Sequence, residues 1–227
     1  GWQSSFDFVA VLAVVLAIHY HARLGETHAA DRRAAFSVAA ILRTYGGLLA
    51  ARRFIAPALA VSLVIGALYA FFAMAPAILM TGFHFSPWGL GIFFASTVFV
   101  VFGAGWLSPR VARRWGAVRA ARAGIGIALL GGVAILRGRQ EIVFFSAALT
   151  VFLLGMGMIN PLGTAIALQP FGRQAGAASA LLGFLQMGCA AVAISAGAAL
   201  DAPAYTSFGI ILTASLTLAF LAFLALR

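Results

Sequence analysis

The chain has 227 residues, of which 63% are hydrophobic and only 9% are charged, and its formal net charge is +10. Soluble proteins carry about 25% charged residues, so this composition excludes a soluble domain. The basic charge does not require nucleic acid, because arginines that flank apolar helices orient a membrane protein. Cys189 is the single cysteine, which excludes an intrachain disulfide and a thiolate metal cage.

Seven long apolar stretches dominate the chain. Each is close to the ~20 residues that a helix needs to cross a bilayer. They predict an all-α membrane protein with seven transmembrane helices. The stretches lie at residues 2–22, 54–82, 87–109, 117–136, 142–168, 175–200 and 202–226.

Every basic residue apart from the histidines is an arginine, and the arginines are unevenly placed. Thirteen of the 15 lie in alternate gaps between the stretches, in the first turns of the fourth stretch (Arg119 and Arg122) or at the C-terminus, and the other two are Arg137 and Arg139. The positive-inside rule assigns the richer side to the cytoplasm. We therefore expect the N-terminus outside and the C-terminus inside. A chain that starts with Gly1 and an outside N-terminus further suggests helices that precede this segment.

The apolar pattern divides the chain into three parts: a first helix (1–22), a cytoplasmic connection (23–53) and a six-helix bundle (54–227). Apolar residues in the connection recur at helical spacing, which predicts an amphipathic helix on the inner membrane surface. A solvated linker with accidental spacing is the alternative. The recurring positions are Val38, Ile41, Leu42, Tyr45, Leu48 and Leu49, with Arg32, Arg33 and Arg43 opposite them.

Polar residues within the stretches are few, and no carboxylate lies deep within one. Because such carboxylates usually carry protons in transporters, this segment predicts no proton relay of its own. The polar side chains could line a cavity or join helices by hydrogen bonds. Gly176, Ser179 and Gly183 have the spacing of small residues that let helices pack closely. The polar positions are Asn160, Thr164, Ser179 and Gln186.

Two further patterns have alternative readings. Gly105 to Gly116 predicts a tight cytoplasmic turn in which Arg113 and Arg114 either latch onto a neighbouring helix end or only orient the chain. His19 and His21, at i and i+2, end a helix at the interface rather than forming a metal site. We expect no metal and no cofactor.

Several of these residues resemble the major facilitator superfamily, and within it the drug-resistance antiporters of the bicyclomycin-resistance (Bcr/CflA) type. Ala75-Pro76 and Gly25-Glu26-Thr27 are similar to that family's motifs, and so is Arg32-Arg33. The most specific match is Ala175–Gln186 (AGAASALLGFLQ), which resembles the signature AGTASALLGFLQ.

The resemblance implies that the chain covers helices six to twelve of a twelve-helix protein in the inner membrane of a bacterium. It implies proton-driven export of small drug-like molecules, with membrane lipid, substrate, proton and the five missing helices as partners. The cavity-wall candidates that it suggests are Tyr69, Phe72, Asn160 and Gln186.

The sequence also bears on other functions. A related transporter of another small solute is the nearest, although few hydrogen-bonding groups argue against a sugar. A retinal protein needs a lysine, which the chain lacks, and a serine protease needs a histidine near its serine, yet none follows His84. The chain is therefore not expected to be an enzyme. If these residues are the whole polypeptide, we expect a fragment without transport activity.

Overall fold

The computed structural model describes residues 1, 3–23 and 37–224, and these form helices without a strand. The motif residues Gly25, Glu26, Thr27, Arg32 and Arg33 lie outside the described residues. The helices are α1 (Gln3–Arg23), α2 (Val38–Ala50), α3 (Arg52–Pro76), α4 (Pro87–Trp115), α5 (Ala117–Arg137), α6 (Ile142–Leu168), α7 (Ala175–Ala199) and α8 (Ala204–Leu224).

Six helical segments of the described chain are long and apolar enough to cross a membrane. One of them, Ile142–Ala199, contains α6, α7 and the short 3₁₀ segment Gln169–Gln174, in which Phe171 leaves helical geometry. Counted as separate helices, the long apolar helices number seven: α1 and α3 to α8. The predicted all-α membrane fold is therefore confirmed.

The chain separates into two units, Gly1–Ile41 and Leu42–Arg227. The first contains α1, a helix of 21 residues that buries none of them. The second contains the end of α2 and helices α3 to α8. Short connections join successive helices in this unit, so their ends alternate between its two faces. Arg110, Arg113, Arg114, Arg119 and Arg173 share one face, here called the arginine-rich end.

The helix type changes at Pro76. Helix α3 ends at Pro76 and continues as a π-helical turn, Ala77–Gly82. Proline has no N–H to donate, so the ordinary hydrogen bond to the residue four positions earlier is lost there. At the end of the π turn, the Phe83 N–H donates to the Ile78 carbonyl at 3.1 Å.

The turn between α4 and α5 is shorter than the sequence suggested. Helix α4 continues through Gly105 and Pro109 to Trp115, so the predicted turn from Gly105 is wrong. The reversal occurs at Gly116, which has φ 84° and ψ 145°. Only glycine adopts such angles without strain, which explains why the chain turns at this residue.

The main core of the second unit lies among α3, α5, α6 and α8. Phe71 of α3 contacts Phe208 of α8 with ring centroids 5.7 Å apart, and Phe145 of α6 contacts Tyr205 of α8 at the same distance. Helix α4, by contrast, buries only Thr97, Ala104 and Ser108. The inner helices thus form a packed unit, and much of α4 remains exposed.

Glycines allow α6 to touch three neighbouring helices. A Cβ on Gly155 would collide with the backbone of Gly124 and Ala128 in α5. A Cβ on Gly157 would lie 2.7 Å from the Val101 carbonyl oxygen of α4, and one on Gly163 would meet the Val61 side chain of α3. Because apolar solvent gives no hydrophobic drive between helices, close van der Waals packing of this kind holds a membrane bundle together.

The distance between two exposed tryptophans on α4 is close to the thickness of a bilayer. Trp88 is 84% exposed and Trp106 is 68% exposed. Their separation along the helix is about 27 Å at 1.5 Å per residue, close to the ~30 Å hydrocarbon core. The Arg110 guanidinium lies 3.6 Å from the centre of the Trp106 ring. Tryptophans at both interfaces, one beside a cation, are typical of a membrane-spanning helix.

A bulky side chain at the α5–α6 contact should destabilise the bundle. A Cβ on Gly131 would lie 2.7 Å from the Ala148 carbonyl oxygen, whereas one on Gly126 of the same helix meets nothing within 4 Å. We expect Gly131→Val to cost about 3 kcal/mol, the upper part of the range for overpacking, because the opposing atoms are backbone.

Thermal unfolding of the purified protein in detergent measures this effect. Gly126→Val is the matched control, since it places the same side chain on the same helix. Equal losses of stability in the two variants would contradict the proposed contact.

Candidate functional site

A groove of about 620 Å³ opens between α6 and α7 in the second unit. Two stripes at helical spacing border it, one from each helix. The lining residues are Asn160, Pro161, Thr164, Ala165 and Leu168 on α6, and Ser179, Leu182, Gly183 and Gln186 on α7. Two of the four predicted cavity-wall residues, Asn160 and Gln186, therefore meet in one site.

The α6 side of the groove combines polar groups with a proline. Asn160 and Thr164 are four residues apart, so they occupy the same helix face, and both are half-buried. Pro161 lies inside the helix and cannot donate to the Gly157 carbonyl. Helix α6 therefore lacks one backbone hydrogen bond beside the groove, next to Asn160.

On the α7 side, the three predicted packing residues border open space. A Cβ on Gly176 or Gly183 would meet nothing within 4 Å, and the Ser179 side chain is exposed. No described helix therefore packs closely against these three residues, and their predicted role in helix packing stays a prediction. Ser179 and Gly183 line the groove, where small side chains leave space between α6 and α7.

Helix α3 fixes the spacing of the two groove helices because it packs against both. The Val61 side chain of α3 lies against Gly163 of α6. A Cβ on Gly66 of α3 would lie 2.9 Å from the carbonyl carbon and oxygen of Cys189 in α7. These two contacts hold α6 and α7 on one common helix, and the groove lies between them.

No charged side chain from the described residues lines the groove. Its hydrogen-bonding groups are two amides and two hydroxyls, which both donate and accept. Leu168, Leu182 and Ala165 provide apolar surface beside them. Such a lining suits a ligand that is mostly apolar and carries a few polar groups, because small-molecule sites commonly combine these features.

Tyr69 and Phe72, the other two wall candidates, do not line this groove. They are 39% and 44% exposed on α3, with ring centroids 6.3 Å apart. Phe72 also contacts Phe94 of α4 at 5.6 Å in an edge-to-face arrangement. The structure thus places them in an exposed aromatic cluster between α3 and α4, away from the groove lining.

The arginines at the end of α4 are exposed. Arg113 and Arg114 occupy the last turn of the helix, and the neighbouring Arg110 donates to the Trp106 carbonyl at 3.2 Å. Helix C-termini favour basic residues, so their placement suits the helix dipole. Their predicted role as a latch stays a prediction.

Sequence reasoning missed several groove residues. The sequence pattern does not identify Pro161, Ala165, Leu168 or Leu182 as lining residues. It predicts Ser179 both as a packing residue and as a polar residue that could line a cavity. A signal was present, since residues 179, 182, 183 and 186 repeat at the spacing of one helix face. The missing information was which neighbour that face meets.

Comparison with known proteins places this geometry in a family. The chain is 25% identical over 191 residues to the "Uncharacterized MFS-type transporter YdgK" of Bacillus subtilis (strain 168). That alignment covers 82% of this chain and 47% of the relative, so the chain spans about half the length of the protein that it resembles. Residues 1–194 match the model of the Major Facilitator Superfamily. With its long apolar helices and its family match over most of its length, this chain belongs to the Major Facilitator Superfamily of membrane transporters.

Proposed function

We propose that this chain is the C-terminal part of a secondary transporter that exports small drug-like molecules by proton antiport. Residues 1–22 are the last helix of the N-terminal half, residues 23–53 the connection and residues 54–227 the C-terminal bundle. The observation that carries the proposal is the uncharged groove between α6 and α7, which presents Asn160 and Gln186 beside apolar surface. This lining favours ligands that bury apolar area and form few hydrogen bonds.

The transport cycle follows from alternating access. Two bundles that rock against each other expose a central site first to one side of the membrane and then to the other. The exposed small residues of α7 and the exposed aromatic residues of α4 suit surfaces that face a second bundle or lipid. We propose that helices one to five, together with α1, form that second bundle.

The proposed orientation rests on the arginines. The arginine-rich end faces the cytoplasm by the positive-inside rule, which puts the N-terminus outside and the C-terminus inside. A bacterial inner membrane is the corresponding location. Glu141 and Asp201 then lie at the outer face, where they flank the starts of α6 and α8.

The proton carrier is proposed to lie in the preceding helices. In the second unit, the described carboxylates are Glu141 and Asp201, and both lie between helices rather than within a span. A buried ionisable group is the usual carrier in proton-coupled transport. The C-terminal bundle would then supply substrate contacts, and the N-terminal bundle the coupling.

A transporter of another, more polar solute is the second candidate. The groove gathers Asn160, Thr164, Ser179 and Gln186 in one place. Polar residues are scarce in the apolar stretches, but these four together provide several hydrogen-bonding groups in one place. A solute with several hydroxyl groups could therefore satisfy them, and a transport assay must distinguish the two classes.

Accumulation of a fluorescent cationic dye tests the proposed export. Cells that express the full-length parent should accumulate less dye than cells with an empty vector, and a protonophore should abolish the difference. The 227 residues expressed alone should have no effect, because one bundle has no partner to move against. Unchanged accumulation with a well-expressed parent would reject drug export and favour the polar solute.

Substitution of the groove amides tests the site. Gln186→Leu and Asn160→Leu should each lower dye export about two- to tenfold, because each removes one hydrogen bond of ordinary strength. Gln169→Leu is the matched control, since Gln169 is an exposed amide that does not line the groove. If all three variants exported dye equally well, the groove would not be the substrate site.

A further inference from the structure

A second, separate cavity lies at the arginine-rich end of the bundle. It has a volume of about 890 Å³ and lies between α2 and the 3₁₀ segment that joins α6 to α7. None of its lining residues is shared with the groove. The lining residues are Arg43, Thr44, Gly47, Leu48, Pro170, Phe171, Gly172, Arg173 and Gln174.

Buried apolar contacts hold both walls of the cavity in place. On α2, Leu48 is 1% exposed and belongs to a buried cluster with Phe54, Leu181 and Leu182. On the other wall, Phe171 contacts Phe54 edge to face, with ring centroids 5.7 Å apart. Both walls therefore rest on the same apolar cluster.

The charge of the cavity is positive and is not balanced by the described residues. Arg43 and Arg173 both line it, and no carboxylate among the described lining residues accompanies them. Glu141 lies at the opposite end of α6, whose 27 residues span about 40 Å. At that distance, well beyond the screening length of ~8 Å, its charge does not neutralise the arginines.

The shape and the polar lining suit a phosphate group. Arginine binds phosphate oxygens through two N–H groups at once, and Gln174 provides a further donor. A Cβ on Gly47 or Gly172 would meet nothing within 4 Å, so both glycines leave open space beside the arginines. An oxyanion could enter there without displacing a side chain.

Apolar surface beside the cavity favours a lipid over a free anion. On α2, Leu42 is 65% exposed and Leu49 is 47% exposed. An amphipathic helix at the membrane surface buries such residues among acyl chains while its cations meet headgroups. Basic pockets between helices at the cytoplasmic side are suited to anionic lipid headgroups.

We propose that this cavity binds the phosphate of an anionic phospholipid, held by Arg43 and Arg173, with its acyl chains against the exposed leucines of α2. The site is independent of the transported solute, because its residues do not line the groove. Lipid binding at this site would make the connection between the two halves of the protein sensitive to the lipid composition of the membrane.

Native mass spectrometry of the purified full-length protein tests the site with phosphatidylglycerol as the probe. The double variant Arg43→Gln/Arg173→Gln should bind this lipid about thirtyfold more weakly, a loss typical of two cations near an anionic surface. Arg113→Gln/Arg114→Gln is the matched control, because it removes the same charge from exposed residues outside the cavity. The control should bind as the unmodified protein does.

A second variant separates cavity shape from charge. Gly47→Leu keeps both arginines but fills the open space, so it should also weaken phosphatidylglycerol binding, while the midpoint of thermal unfolding stays unchanged. Phosphatidylcholine and inorganic phosphate are the comparison ligands.

Three results would each overturn the proposal. Equal loss in the two double variants would indicate a general surface charge, and equal binding of phosphatidylcholine would exclude recognition of an anionic headgroup. Displacement of the lipid by an equal concentration of inorganic phosphate would indicate a free-anion site.

Discussion

Close packing of α6 through its glycines is the constraint on which the rest of the bundle depends. In an apolar solvent, helices associate by van der Waals contact and by backbone proximity, not by burial of oily side chains. Gly155, Gly157 and Gly163 bring α6 against α5, α4 and α3 respectively. A side chain at any of these positions would push one neighbour away. The position of α6, and with it the direction in which Asn160 points, therefore follows from the absence of three side chains.

The groove forms because α3 packs against both α6 and α7, while α6 and α7 leave space between each other. Helix α3 contacts α6 at Gly163 and α7 at Gly66, so both are held to one support. Along the facing stripes of α6 and α7, small or polar residues such as Ser179 and Gly183 leave an opening of about 620 Å³. Pro161 also removes one backbone hydrogen bond from α6 beside that opening. Tight packing elsewhere and loose packing here suit a site that must admit and release a ligand.

Much of the fold could be predicted from the sequence, because apolar length and helical spacing act locally. The long apolar helices were predicted, and the structure contains them. The site was predicted only in part, since Asn160 and Gln186 were expected in the cavity wall, whereas Ser179 was expected either to pack helices or to line a cavity. Small residues have the same appearance in sequence whether they touch a helix or border a space. The sequence likewise did not show that Tyr69 lies outside the groove, because the periodicity of α3 does not show which neighbouring helix each face meets.

Binding of transported molecules in the groove between α6 and α7 can be tested by site-specific labelling. In a Cys189→Ser background, Ser179→Cys introduces a thiol in the groove, and Gly126→Cys introduces one on α5 outside it. We expect a transported dye to slow maleimide labelling at position 179 and to leave labelling at position 126 unaffected. Equal labelling at position 179 with and without the dye, in a variant that still exports it, would contradict binding in the groove.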